Sequence, residues 1–182
     1  MLIYKYLAAT AFLFFTSTSH TVMVVKLADL HTMAKQSDVV LHGYVGDQRV
    51  VKDNMNRLIT LTDVEVLDGI YGLKTGEVIT IYQVGGEKDG LVMPLLGGHK
   101  YALGNEIIFF GLVLDGTYVS YGAGQGKLDI IEENLQAIVK EDLGNVIALG
   151  SGKSGQLFNP EPLLFENKDM LIDEIKLMVL EK

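Results

Sequence analysis

Four histidines are the residues best suited to chemistry in this sequence, and their spacing does not group them. They stand at His20, His31, His42 and His99, with no His-x-His pair and no His-Glu-x-x-His motif. Ligands spread in this way form a metal site only where folding brings distant positions together. We therefore expect no metal site and no cofactor.

Nucleophiles and phosphate-binding loops find equally little support. The chain has no cysteine, which excludes disulfides, thiolate metal sites and a cysteine nucleophile. No Gly-x-Ser-x-Gly motif indicates a serine hydrolase. The segment GSGKSG at Gly150–Gly155 lacks the glycine spacing of a phosphate-binding loop, and we interpret it as a flexible linker. The sequence thus predicts a protein that is not an enzyme and has no catalytic residues.

Some polar side chains still merit attention. Asp63 and Glu65 share one face of a predicted strand, where two carboxylates could do acid–base work, although a solvated strand face explains them more simply. The segment Gly85–Gly98 is either a binding loop on a barrel rim or a plain connection, and we favour the connection. Tyrosines able to stack on a ligand stand at Tyr44, Tyr71, Tyr82, Tyr101, Tyr118 and Tyr121. Half-buried barrel positions are the default expectation for them.

Composition and charge limit the partners. The chain has 182 residues, is 48% hydrophobic and carries a formal net charge of -8, so it suits one packed, soluble domain. An acidic surface repels phosphate backbones and anionic lipid. We expect another protein or a small ligand as partner, and no nucleic acid.

The amino-terminal segment has the order of a secretory signal. In residues 1–19 the cation Lys5 precedes an apolar run from Leu7 to Phe15, and small hydroxyl residues follow. Ser17 and Ser19 suit a cut before His20. An uncleaved anchor and a first buried strand are the alternatives. We expect cleavage, a secreted or periplasmic location, and no membrane span in the processed chain, since later apolar runs are too short.

Alternating apolar residues predict a series of short strands. The predicted strands are residues 38–45, 58–67, 77–84, 105–114, 117–121 and 127–131, preceded by a short helix in 26–37. Residues 105–114 are almost all apolar, which indicates burial on both faces. Asp115-Gly116 between two strand-like runs is the strongest hairpin signal. Residues 46–56 suit a hairpin loop or splayed strand ends.

The carboxyl-terminal third is less regular. Leu135–Lys140 and Val146–Leu149 flank Leu143-Gly144-Asn145 and suggest another hairpin, with a helix over Glu132–Glu141 as the alternative. Residues 151–166 are interpreted as a linker. Residues 167–182 predict an amphipathic helix whose apolar stripe comprises Leu171, Ile172, Ile175, Met178 and Val179.

Four fragments stand in a fixed order, namely SDVVLHGYV at 37–45, TLTDVEVLDGIYG at 60–72, EVITIYQVGG at 77–86 and GNEIIFFGLVLDGTYVSYG at 104–122, followed by GQGKLDI at 124–130. Fragments in this order resemble the netrin-like and TIMP-like group of OB-fold proteins, and uncharacterised bacterial exported proteins of the same pattern. The resemblance implies a small OB-like barrel. The inhibitors of that group reach a protease zinc through an amino-terminal cysteine, which this chain lacks.

The domain prediction is a signal peptide in 1–19, a mainly β barrel domain in 20–150, a linker in 151–166 and a helix in 167–182 packed on the barrel. For function we expect an exported, non-enzymatic binding or interaction module. The alternative, a secreted metalloprotease inhibitor, follows from the family resemblance.

Overall fold

A computed structural model describes residues 23–97, 99–143, 146–149, 157–158 and 160–182. The predicted signal peptide, His20 and the Gly150–Gly155 segment lie outside the described residues. The helices are α1 Leu30–Gln36 and α2 Lys168–Leu180. The strands are β1 Met23–Val25, β2 Val39–Lys52, β3 Leu58–Tyr71, β4 Val78–Val84, β5 Gly86–Lys88, β6 Leu91–Met93, β7 Glu106–Leu114, β8 Thr117–Ser120, β9 Lys127–Glu133, β10 Gln136–Glu141, β11 Val146–Leu149, β12 Leu157–Phe158 and β13 Leu164–Phe165.

Five strands form a ring, which together with the two helices confirms the predicted small, mainly β domain. Their order is β7-β2-β3-β4-β8, and β8 returns to pair with β7. Neighbours are antiparallel except β4 and β8, which run parallel and pair only at Ile81 with Tyr118. One core cluster is drawn from these strands and the loop that precedes β7: Val39, Leu41, Val45, Val64, Val66, Ile79, Ile81, Tyr101, Ile107 and Phe109.

Strand β7 connects the ring to the rest of the sheet. Its beginning pairs with β9 and its end with β8, so the sheet forks there and continues through β10 to β13. The predicted burial of residues 105–114 on both faces holds only for the middle of the run. Ile107–Phe110 is fully buried, because the ring covers one face and the helices cover the other, whereas Val113 and Leu114 are exposed. The Asp115-Gly116 hairpin is confirmed, with both residues at positive φ, as a two-residue turn requires.

The hairpin of β2 and β3 is longer than predicted. β2 continues to Lys52, so only residues 53–57 form the turn where a loop over 46–56 was one expectation. Asp53 stabilises this turn by accepting hydrogen bonds from the backbone N–H groups of Met55 and Arg57. The polar residues before Lys52 lie on exposed strand, where charge is compatible with pairing.

The prediction for residues 132–149 was partly wrong. The helix alternative over Glu132–Glu141 is excluded, because β9 and β10 form an antiparallel hairpin. Its turn residues are Asn134 and Leu135, both at positive φ. β10 therefore does not pair with β11, which instead runs parallel to β1 and antiparallel to β12. Asparagine tolerates the left-handed conformation. Leu135 is apolar although it is exposed in the turn, so the hydrophobicity pattern did not indicate a turn here.

Both helices pack on the outer face of the sheet. Asp29 and Asn167 cap α1 and α2 by accepting backbone hydrogen bonds from Thr32 and Met170. Leu171, Ile172, Ile175 and Val179 of the predicted stripe are buried against sheet residues such as Val40, Ile108 and Phe110. Within the predicted linker, β13 pairs with β10 and so joins the sheet. Among the described residues, no helix has the length and apolarity needed to cross a membrane.

Candidate functional site

A pocket of about 390 Å³ lies where β4 and β8 separate beyond their single pair. Both strands run in the same direction from Ile81 and Tyr118, and residues 81–84 and 119–120 line the opening between them. Apolar side chains supply most of the wall, chiefly Ile81, Val84, Leu96, Leu112, Leu114 and Val119. Leu96 and Leu114 are exposed, so the pocket reaches the surface there.

The turn Tyr121–Gly124, in which Gly122 and Ala123 both have left-handed backbone, forms one side of the pocket and is anchored on its far side by hydrogen bonds. The Gln125 side chain accepts from the backbone N–H of Ala28 (2.8 Å) and donates to the carbonyl oxygens of Lys26 and Gly122 (both 3.1 Å). The Tyr121 hydroxyl donates to Oε1 of Gln36 (2.6 Å). Because its outer side is fixed to the segment around α1, this wall has a defined position.

His99 lies in the pocket wall and is almost fully buried. Burial, aided by the nearby Lys127 ammonium, lowers the pKa of His99 to about 4, while Asp142 and the Gly97 backbone oppose the shift. The imidazole is therefore neutral at pH 7, and its Nδ1 has no hydrogen-bond partner. Its ring meets that of Tyr101 edge to face, with 6.2 Å between centroids.

Gln83 has one half of its amide satisfied and the other half free. Its Nε2 donates to the carbonyl oxygens of His99 (2.9 Å) and Leu96 (3.2 Å). A flipped amide would set Oε1 against these two carbonyls, so the orientation is determined by its partners. The buried Oε1 has no partner.

Two hydroxyl groups complete the polar part of the pocket. Burial raises the pKa of Tyr101, and the nearby Ser120 hydroxyl opposes that shift, so the phenol stays protonated. The two hydroxyls are neighbours, and neither oxygen has another hydrogen-bond partner. In the part of the chain that the structure describes, five buried side-chain polar atoms lack partners, and four of them belong to residues of this pocket.

A buried lysine beneath the pocket is fully paired. The Lys127 Nζ donates to the carbonyl of Lys100 (2.9 Å) and to both carboxylate oxygens of Asp129 (2.9 and 2.7 Å). The ammonium also lies 5.6 Å from the centre of the Tyr101 ring. Since these partners use its three protons, Lys127 offers no free charge to the pocket.

A second polar cluster joins α2 to the sheet. Nε2 of His42 and Oε1 of Glu106 are 2.5 Å apart, and Lys168 donates to the same oxygen at 2.9 Å. Burial opposes ionisation of Glu106, but hydrogen bonds from Lys168 and His42 hold the pKa of its carboxyl below the ordinary value. The three side chains pair with one another and line none of the principal cavities. We therefore interpret this cluster as a contact that fastens α2 to the sheet.

The other candidate residues named from the sequence are paired, exposed or packed in ways that the structure describes. Asp63 pairs with Arg49 (2.8 Å) and accepts from Thr80 (2.6 Å), while Glu65 is exposed, as expected of a solvated strand face. His31 is exposed on α1. Tyr71 lies under the Lys182 ammonium, Tyr44 is exposed, Tyr118 is half-buried and Tyr82 lines the pocket. Within the described ranges, no three metal-binding side chains gather at one point.

Gln83 and Ser120 were hard to predict as site residues from the sequence. Gln83 follows Ile79 and Ile81 on the inward face of β4, and a polar residue on an apolar face is the signal that was available. The Gly85–Gly98 segment, favoured as a plain connection, contains the β5–β6 hairpin, and its end supplies Leu96 to the pocket. No protein-family model matches the chain, and no curated protein shows significant similarity to it.

Proposed function

We propose that this chain is an exported, non-catalytic binding protein that holds a small molecule in the pocket between β4 and β8. Export is supported by the signal pattern of residues 1–19. The observation that carries the binding function is that one mostly apolar cavity is lined by four residues, Gln83, His99, Tyr101 and Ser120, that each have a buried polar atom without a partner.

The argument is energetic. A buried polar group without a partner costs about 1–3 kcal/mol, so native proteins contain few of them. Four in one pocket are explained if a bound molecule supplies the missing partners. An apolar wall with a few convergent polar groups is also the usual make-up of small-molecule sites.

The same groups are poorly arranged for catalysis. Ser120 and His99 are the residue types of a nucleophile and its base, and both line the pocket. However, a general base works best with a pKa near the working pH, and the pKa of His99 is about 4. Its Nδ1 has no carboxylate to orient the ring, which a serine–histidine pair requires. These features favour binding.

The test is a fragment titration followed by ¹H–¹⁵N spectroscopy on the protein as processed by the expressing cell. We expect uncharged fragments to shift the amide signals of Ser120, Gly122 and Gly124. Val119→Trp, which adds a large ring to the pocket wall, should abolish these shifts. Val92→Trp is the matched control, because Val92 is an exposed strand residue away from the pocket.

Two results would contradict the proposal. One is the absence of any fragment-dependent shift in the wild-type protein, which would leave water as the only occupant. The other is a set of shifts that persists unchanged in folded Val119→Trp. The metalloprotease-inhibitor alternative stays a prediction, and an assay against secreted metalloproteases at stoichiometric excess of this protein tests it separately.

A further inference from the structure

We infer that the pocket selects an uncharged molecule in which an apolar body carries a group that both donates and accepts hydrogen bonds, with a carboxamide as the simplest example. This inference rests on the proposed binding function and specifies the ligand chemistry of that same site.

The ligand must donate a hydrogen bond, because Gln83 presents an acceptor. Both protons of its Nε2 point at the backbone carbonyls of Leu96 and His99, which leaves the buried Oε1 as the one part of the amide without a partner. A carbonyl oxygen accepts and cannot donate. A ligand group with acceptors alone would leave this atom unpaired.

The ligand must also accept a hydrogen bond. Burial keeps the Tyr101 phenol protonated, and the Ser120 hydroxyl is a donor throughout the ordinary pH range. The two hydroxyls are neighbours, and neither oxygen has another partner. If one donates to the other, the second still has a proton to give. A group that donates to Gln83 and accepts from one of these hydroxyls pairs atoms on both sides of the pocket.

The ligand is uncharged because nothing described in the pocket would balance a charge. All of the described lining side chains are neutral at pH 7, including His99 with its low pKa. Lys127, whose ammonium lies 5.6 Å from the centre of the Tyr101 ring, has its three protons engaged with Asp129 and the Lys100 carbonyl. Moving a carboxylate from water into this pocket would cost its hydration without a compensating ion pair.

The apolar part of the ligand contacts the remaining wall. Val84, Leu96, Leu112, Leu114 and Val119 supply apolar surface around the polar groups, and Tyr82 adds an aromatic side chain. A hydrocarbon body therefore gains affinity from burial, while the polar group sets its orientation.

Three probes with the same ring separate these requirements: benzamide, benzoate and toluene. Titrations followed by the amide signals of Ser120 and Gly122 give a dissociation constant for each probe. We expect benzamide to bind at least about tenfold more tightly than benzoate or toluene, since a paired buried polar group is worth about one such factor. Removal of the donating hydroxyl, by Tyr101→Phe or by Ser120→Ala, should weaken benzamide about five- to tenfold and leave toluene unchanged.

Outcomes of this series separate the ligand class from the binding function. Equal binding of benzamide and toluene, or tighter binding of benzoate, would overturn the ligand class while leaving a small-molecule site in place. Binding of benzamide that responds to neither Tyr101→Phe nor Ser120→Ala would also overturn it. If none of the three binds, the ligand class fails, and the broader fragment titration decides the binding function independently.

Discussion

The imidazole of His99 lies so close to the backbone of Gly124 that no side chain fits between them. A Cβ on Gly124 would be 1.4 Å from Cε1 of His99 and 2.1 Å from its Nε2. Gly124 also has a φ of 121°, which L side chains rarely adopt. The contact fixes the buried histidine in the pocket wall, and it explains why a glycine stands at this turn.

Gly124→Ala should therefore destabilise the protein strongly. We expect a loss of about 3 kcal/mol or more in the free energy of unfolding, from backbone strain together with the clash with His99. Gly76→Ala is the matched control, because Gly76 has a φ of 84° but nothing within 4 Å of an added Cβ. That variant should lose only about 1 kcal/mol. Equal losses in urea denaturation would contradict the described packing of His99.

Tyr101→Phe should separate stability from binding. The Tyr101 hydroxyl is buried without a partner, while its ring packs against His99 and lies near the Lys127 ammonium. Phenylalanine keeps the ring and removes the orphan oxygen, so the free energy of unfolding should stay the same or rise by up to about 1 kcal/mol. A loss of more than about 1 kcal/mol in chemical denaturation would show that the hydroxyl has a partner within the protein.

The stability of the folded chain should fall as the pH drops from 6.5 toward 4. The pKa of His99 is lowered from 6.5 to about 4. Between these pH values the His99 imidazole therefore binds a proton in the unfolded chain and stays neutral in the folded chain. The full effect is about 3 kcal/mol, it is complete near pH 4, and it is absent above pH 7.

His99→Gln should reduce this slope between pH 6.5 and 5, even though the variant is less stable overall. His31→Gln is the matched control, because its side chain is 58% exposed. The measurement is urea denaturation at a series of pH values. Identical slopes for wild type and His99→Gln would mean that the imidazole is accessible to protons in the folded state.

The carboxyl-terminal helix should contribute to stability through one face only. Ile175 is fully buried between α2 and the sheet, whereas Leu177 on the same helix is 65% exposed. Ile175→Ala should cost about 2–5 kcal/mol, and Leu177→Ala less than about 0.5 kcal/mol. Thermal unfolding of the two variants measures the difference. Similar midpoints would contradict the packing of α2 on the sheet.

Local sequence patterns predicted the individual strands, turns and helices of this fold better than they predicted which strands pair with each other. The buried run Ile107–Phe110, the Asp115-Gly116 turn and the stripe of α2 could be read directly, because each depends on neighbouring residues alone. The pairing of β10 with β9 depended on a turn of unusual composition. The parallel approach of β1 to β11 joins residues more than a hundred positions apart, which no local pattern specifies.

The pocket could not be predicted from the sequence, and the reason is the same. Gln83, His99, Tyr101 and Ser120 come from β4, a loop and β8, and they meet only because β8 pairs with both β4 and β7. His99 and Tyr101 were noticed as residue types, but nothing in their spacing connected them. A polar residue on the inward face of an apolar strand, as at Gln83, is the feature that deserved more weight.

A crystal structure of the protein soaked with benzamide tests the central claim most directly. We expect the amide group to lie between Oε1 of Gln83 and the hydroxyl of Tyr101 or Ser120, with the ring against Leu112 and Val119. The claim would be contradicted if β4 and β8 paired along their full length and closed the pocket. It would also be contradicted if protein groups or water alone satisfied these polar atoms while benzamide stayed outside.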